Sequence, residues 1–121
     1  MFNPSLWQGK KAGVLGFGKS GQAVAALLKA HGMDVLISEE ANVSAEKLRP
    51  IPPGINVETG GHSPKLFACD FWVKSPGILP KMPVLLEGKK RGIPVFSELE
   101  VALSFAPKGV RIFAVRERLR N

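Results

Sequence analysis

Six residues, Gly16-Phe17-Gly18-Lys19-Ser20-Gly21, follow directly on the apolar run Ala12-Gly13-Val14-Leu15. That order predicts a strand, a tight glycine turn and the first turn of a helix. The chemistry open to such an arrangement is holding an anion. Gly16 and Gly18 let the backbone turn sharply and approach a phosphate group, and Gly21 lets the helix pack tightly on the strand. Free N–H groups of the helix's first turn then face the anion. Lys19 places a cation in the loop, although a lysine there also serves as a plain solvated side chain. Glu39 ends the next apolar run, 18 residues beyond Gly21, where an acid commonly hydrogen-bonds a nucleotide ribose. Its neighbour Glu40 has the plainer reading of an exposed loop acid. A third candidate is the turn Lys74-Ser75-Pro76-Gly77, although Pro and Gly form turns without any ligand. The glycine spacing alone is weak, because a tight strand-to-helix turn needs glycines anyway. Strand, helix and Glu39 together favour nucleotide or diphosphate binding over a purely structural turn.

The elements that must position these residues follow from periodicity and punctuation. After the glycine loop, Ala23, Val24, Leu27 and Leu28 form an apolar helical stripe that His31-Gly32 ends. Asp34 to Ser38 is a second strand. Ser44 caps a short helix to Leu48, before Pro50. A turn at Ile51-Pro52-Pro53-Gly54 leads to a third strand, Ile55 to Glu58. Ser63-Pro64 caps a brief helix through Phe67, and Phe71-Trp72-Val73 is a buried-type strand. Pro83 opens a helix with Val84, Leu85 and Leu86 inward, which ends at Gly92. Ile93 to Phe96 is a fifth strand, its proline suited to a strand start or an edge. Ser97-Glu98-Leu99-Glu100 is a capping box, with Leu99, Ala102 and Leu103 as the buried stripe of its helix. Strands alternating with helices imply parallel pairing and right-handed crossovers. The expected fold is therefore α/β and Rossmann-like, a doubly wound parallel sheet of about five strands flanked by helices, its first strand central. In such a sheet ligands bind beyond the carboxyl ends of the strands, where all three candidate segments meet.

Composition narrows the function classes. A chain of 121 residues is one domain, large enough for a core and small for a complete two-substrate enzyme. No apolar run approaches the ~20 residues of a membrane span, and the first residues lack a signal peptide's apolar stretch. Cys69 is the single cysteine, which excludes an internal disulfide and fits a reducing cytoplasm. Beside the apolar run after Asp70 it reads as a small buried hydrophobe. With His31 and His62 the only histidines, a metal site has almost no support. The net charge of +7 invites a nucleic-acid reading. Its distribution argues against one: Lys89, Lys90 and Arg91 stand at a helix C-terminus, where cations meet the dipole favourably. Arg111, Arg116, Arg118 and Arg120 against Glu117 give a basic tail without interleaved aromatics.

Taken together, three segments make this chain resemble the N-terminal domain of the Mur ligases, nearest to the branch that adds D-glutamate to UDP-N-acetylmuramoyl-L-alanine. They are Gly16-Phe17-Gly18-Lys19-Ser20-Gly21, Val73-Lys74-Ser75-Pro76-Gly77-Ile78, and Gly92-Ile93-Pro94-Val95-Phe96-Ser97-Glu98-Leu99-Glu100. They stand in the family's order and spacing, from about Lys11 to Val115. The resemblance implies a cytoplasmic domain of peptidoglycan precursor synthesis that binds the uridine diphosphate end of the substrate. Lys19 and Ser20 would offer donors to the diphosphate, with Gly16, Gly18 and Gly21 shaping the loop. Glu39 and Glu40 would lie beside the uridine, and Ser75 with Gly77 would close the other wall. Where relatives often place an arginine against uracil, this chain has Ala41.

The larger departure lies near residue 115. In the family, the strand corresponding to Val110–Val115 runs into a second glycine-rich loop of the Thr-Gly-Thr-Asn-Gly-Lys type that cradles ATP. Here Ala114-Val115 is followed by Arg116-Glu117-Arg118-Leu119-Arg120-Asn121. The expected organisation is a UDP-binding domain over 1–109 and a remnant of a link into an ATP-binding domain over 110–121. The ATP and Mg2+ of the family's reaction, in which ATP phosphorylates the substrate's carboxylate before D-glutamate attacks, would then have no site in this chain. No catalytic residue is assigned, no activity is expected of the chain alone, and no nucleic-acid or membrane partner is expected. The Ile112–Val115 strand, left unpaired, offers an edge for weak self-association. Two other readings stay open: a regulatory NAD-binding domain with a similar glycine loop and acid, and a ligand-free relic or interaction module.

Overall fold

The computed structural model describes residues 1–48, 51–78 and 81–106. In chain order the elements are α1 (Pro4–Trp7), β1 (Lys11–Leu15), α2 (Lys19–Ala30), β2 (Asp34–Glu39), α3 (Ala45–Leu48), β3 (Ile55–Thr59), α4 (Pro64–Phe67), β4 (Phe71–Lys74), α5 (Pro83–Lys90), β5 (Val95–Ser97) and α6 (Glu98–Ser104). The strands form one five-stranded sheet in the order β3-β2-β1-β4-β5. Every pairing is parallel, with Leu15 opposite Ser38 and opposite Lys74. The doubly wound α/β expectation holds, and β1 is the central strand. The expected boundary after residue 109, the strand Val110–Val115 and the basic tail lie outside the described residues, as does Pro50.

The central strands are buried on both faces, and their side chains divide with the period of two that a pleated strand imposes. Ala12, Val14, Val35, Ile37, Phe71 and Val73 face a core filled by Val24, Ala25 and Leu28 of α2 and Val101 of α6. Leu15 and Trp72 face the opposite side, where Leu66, Cys69 and Leu85 pack from α4, its following turn and α5. The Trp72 indole is fully buried and donates Nε1–H to Leu66 O at 2.8 Å.

In α2, α5 and α6 only part of the stripe that the sequence suggests faces inward: Val24, Leu28, Leu85 and Leu103 are buried as expected. In α2, Ala23 is exposed while Gly21, Val24, Ala25 and Leu28 are buried. In α5, Leu86 is exposed, and Leu85 and Gly88 are the residues that go inward. In α6, Leu99 is exposed, as is Ala102, and Glu98, Val101 and Leu103 are buried. At eight and seven residues, α5 and α6 are too short for periodicity to fix their rotation, and packing against the sheet sets it instead. The first helix, α1, has no signal in the periodic pattern. Asn3 caps it by accepting the Ser5 N–H at 3.1 Å, which carries Phe2 and Trp7 over β4 and β5. There their rings lie 5.3 Å and 4.8 Å from Phe71, and Phe2 lies 5.1 Å from Phe96.

Candidate functional site

The loop after β1 turns at Gly16, whose φ of +106° is a conformation that L side chains rarely adopt. Its N–H donates to Ser38 O at 2.9 Å, which extends the β1–β2 ladder by one step. Gly18 then caps α2 in extended backbone, with no side chain to take the first N–H groups. Gln22 N–H closes the first turn onto Gly18 O at 3.0 Å. The N–H groups of Lys19, Ser20 and Gly21 hold no protein partner among the described residues. Gly21 sits where a Cβ would stand 3.0 Å from Gly16 O, so a larger residue would crowd that carbonyl of the loop. The result is a helix N-terminus that presents three donors and its positive dipole end beyond the central strand.

This loop stands at the point where the strand order reverses. From β1 the chain proceeds through α2 to β2 on one side, while β4 flanks β1 on the other. The loops after β1 and β4 therefore diverge and leave a crevice, the place where open α/β sheets take ligands. The turn after β4 enters it: Ser75 Oγ lies 3.6 Å from where a Gly16 Cβ would stand. Gly18, Lys19, Ser20 and Gly77 are exposed, and Gly16 and Ser75 are half-buried. On the β2 side a cleft of about 760 Å3 is lined by Phe17, Gly18, Lys19, Glu39, Ala41 and Lys47, among others. Glu40, next to Glu39, is exposed and does not line it. A second hollow of about 550 Å3 lies among Lys11, Asp34, Asn56, Lys65 and Cys69, and contains none of the glycine-loop residues.

Glu39, the acid expected to contact a ribose, is engaged by the protein's own backbone. Its Oε1 accepts the Phe17 N–H and its Oε2 accepts the Ala41 N–H, each at 2.9 Å. The carboxylate thus ties the glycine loop to the wall beyond β2 and still has lone pairs for a ligand. The same wall is held from β3, where Gly60 N–H donates to Ala41 O at 3.0 Å and Gly61 N–H to Glu39 O at 3.3 Å.

A polar cluster absent from the sequence reading supports that wall from the other face of the sheet. Ser38, fully buried, donates its hydroxyl proton to Glu58 Oε2 at 2.5 Å, and His62 Nδ1 lies 2.7 Å from Ser38 Oγ. Since the one Ser38 proton goes to Glu58, Nδ1 is the donor to Ser38 Oγ. Glu58 also accepts Ser63 N–H at 3.0 Å and the Ser63 hydroxyl. Burial by itself raises the Glu58 pKa, but the bonds from Ser38 and Ser63 and the nearby His62 outweigh it and hold the carboxyl below its ordinary value. This is a brace and no nucleophile: the serine points at the carboxylate, and nothing draws its proton toward the histidine. Cys69 is buried as expected; burial, with Asp70 beside it, pushes its thiol up to about 11. A thiol so protonated is a poor nucleophile.

Among the described residues, no helix is long and apolar enough to cross a membrane. The capping box of α6 forms as expected, with Glu100 N–H donating to Ser97 Oγ at 3.1 Å and Ser97 N–H to Glu100 Oε1 at 3.3 Å.

Residues 11–84 match the family described as the MurD N-terminal domain. The chain is 53% identical over 119 residues to the UDP-N-acetylmuramoylalanine–D-glutamate ligase of Elusimicrobium minutum, a match covering 95% of this chain and 25% of that protein. It is 45% identical over 98 residues to the ligase of the same name from Chlorobium luteolum, covering 80% and 21% respectively. The chain spans about a quarter of the length of these relatives. A solved structure of shikimate dehydrogenase from Aquifex aeolicus aligns with a TM-score of 0.57 over 91% of this chain and 55% of that one, at 19% identity. That similarity is one of fold alone.

Proposed function

Since this chain belongs to the MurD N-terminal domain family, we propose that it holds the uridine diphosphate end of UDP-N-acetylmuramoyl-L-alanine and does no chemistry by itself. The observation that carries this reading is the set of three unpartnered N–H groups of Lys19, Ser20 and Gly21 at the switch point of the sheet. A diphosphate there takes those donors and the Lys19 cation. The uridine then lies toward Glu39 and Glu40, in the cleft floored by Ala41, and Ser75 with Gly77 closes the far side. The alanine at 41 leaves the base without a cationic stacking partner at that position, so affinity rests on the diphosphate more than on the base. In this reading the chain acts in the cytoplasm in peptidoglycan precursor synthesis, as the nucleotide anchor of a D-glutamate-adding ligase.

The test is a titration of the 15N-labelled chain with UDP. Amide shifts concentrated at Gly16–Gly21, Glu39 and Ser75 are the expected outcome. Shifts clustered elsewhere, or tighter binding of NADH than of UDP, would overturn the proposal.

A further inference from the structure

Among the described residues, Glu98 carries the one buried side-chain acceptor without a partner. The residue is 6% exposed, and its Oε1 is closed off from solvent with no hydrogen bond. The capping box does not account for it, because there Ser97 and Glu100 satisfy each other. An unpaired buried carboxylate oxygen carries an uncompensated desolvation penalty that native structures avoid, so such a group calls for a donor from outside the chain.

Its position indicates which donor. Oε1 lies 3.4 Å from where a Cβ on Gly21 would stand, against the first turn of α2. It reaches that turn from α6, on the β4–β5 side of the glycine loop, whereas Glu39 and Ala41 flank the loop from the β2 side. A diphosphate at the α2 N-terminus lies between the two. We infer that Glu98 is a specificity-determining residue whose carboxylate accepts a hydrogen bond from a hydroxyl or amide N–H of the sugar attached to the bound nucleoside diphosphate. This rests on the nucleotide-binding reading above. A carboxylate accepts and never donates, so it repels the diphosphate oxygens, and the base lies on the opposite wall. The donors left in a nucleotide sugar are those of the pyranose ring and its acylamino group. Oε1 is closed off beside Gly21, so the bond forms as the Glu98 side chain turns out of that space toward the arriving sugar.

Calorimetric titration of the 121-residue chain with UDP and with UDP-N-acetylmuramoyl-L-alanine separates the outcomes. E98A should leave the UDP affinity unchanged and weaken the nucleotide sugar about tenfold or more, the size expected of a lost charge-assisted bond. E98Q keeps the shape and an acceptor oxygen, so its loss should fall between those of wild type and E98A. The ratio of the two dissociation constants is the readout. An equal loss for both ligands would assign Glu98 to holding the loop, and an unchanged nucleotide-sugar affinity would leave it no ligand role; either result overturns the inference. Should E98A fail to fold, E98Q decides by the same ratio. A wild-type chain that binds neither ligand instead overturns the nucleotide-binding reading, and this inference falls with it.

Discussion

On the β2 side of the glycine loop, polar groups are committed to one another before any ligand arrives. Glu39 holds Phe17 and Ala41, Gly60 and Gly61 hold the same wall from β3, and Glu58 fixes Ser38 from beneath. On the β4–β5 side, Ser75 Oγ stands beside Gly16 with no hydrogen bond among the described residues, and Glu98 Oε1 is buried without one. A wall already bonded is rigid and costs little to order on binding. The unsatisfied Glu98 oxygen on the facing wall is where a ligand gains most, because it supplies a bond that the fold does not. On the proposed nucleotide-sugar reading, the first wall positions the ligand and the second discriminates.

Changes that should break this contrast differ in size. The largest expected effect is that of Gly18→Leu. Its backbone is extended, φ −81° and ψ 171°, and its missing Cβ faces open space, so stability should change by about 0.5 kcal/mol or less. The new side chain would cover the α2 donors, and UDP binding should vanish in a calorimetric titration. Next is Glu58→Ala, which strips an acceptor from Ser38 and from both Ser63 donors. A loss of about 2 kcal/mol is expected, read as a fall in melting temperature with UDP affinity falling alongside.

Glu58 also gives a pH signature. Its folded-state pKa lies below the ordinary 4.5, so near that pH the unfolded chain binds more protons than the folded one. The stability it contributes is complete above about pH 4.5 and fades as pH falls through the depressed folded value. Melting curves from pH 7 to pH 3 should show wild type losing more stability at the acid end than Glu58→Gln, which has no carboxyl to protonate. Glu39→Gln is smaller: an amide has one oxygen, so either Phe17 or Ala41 loses its acceptor, and about 1 kcal/mol of stability should go. Smallest is Ser75→Ala, which should leave the melting temperature unchanged and weaken UDP a few-fold. A melting temperature that drops as far for Ser75→Ala as for Glu39→Gln would erase the difference between the walls.

Much of this was legible from the chain alone. Near-continuous apolar runs at Ala12–Leu15 and Phe71–Val73 mark strands buried on both faces, and their alternation with helices leaves a parallel sheet as the simple solution. The glycine loop, the His31-Gly32 stop, the Ser63 and Ser97 caps and the buried Cys69 are local or compositional signals, and each is realised. The rotation of α5 and α6 was not legible. Leu86, Leu99 and Ala102 carry the right chemistry for a core, but seven or eight residues per helix leave the facing side to packing.

What the sequence determined by itself is thus the kind of element at most points after α1 and the presence of a tight glycine turn at a helix start, because both depend on neighbours within a few residues. The tertiary structure alone decided which side chains meet. Ser38 and Glu58 are 20 residues apart and touch because parallel pairing of β2 and β3 sets them opposite each other. Glu98 reaches the first turn of α2 because β5 delivers α6 to the same end of the sheet. Register and strand order are fixed by burial summed over the whole sheet, and no local run of residues carries that sum.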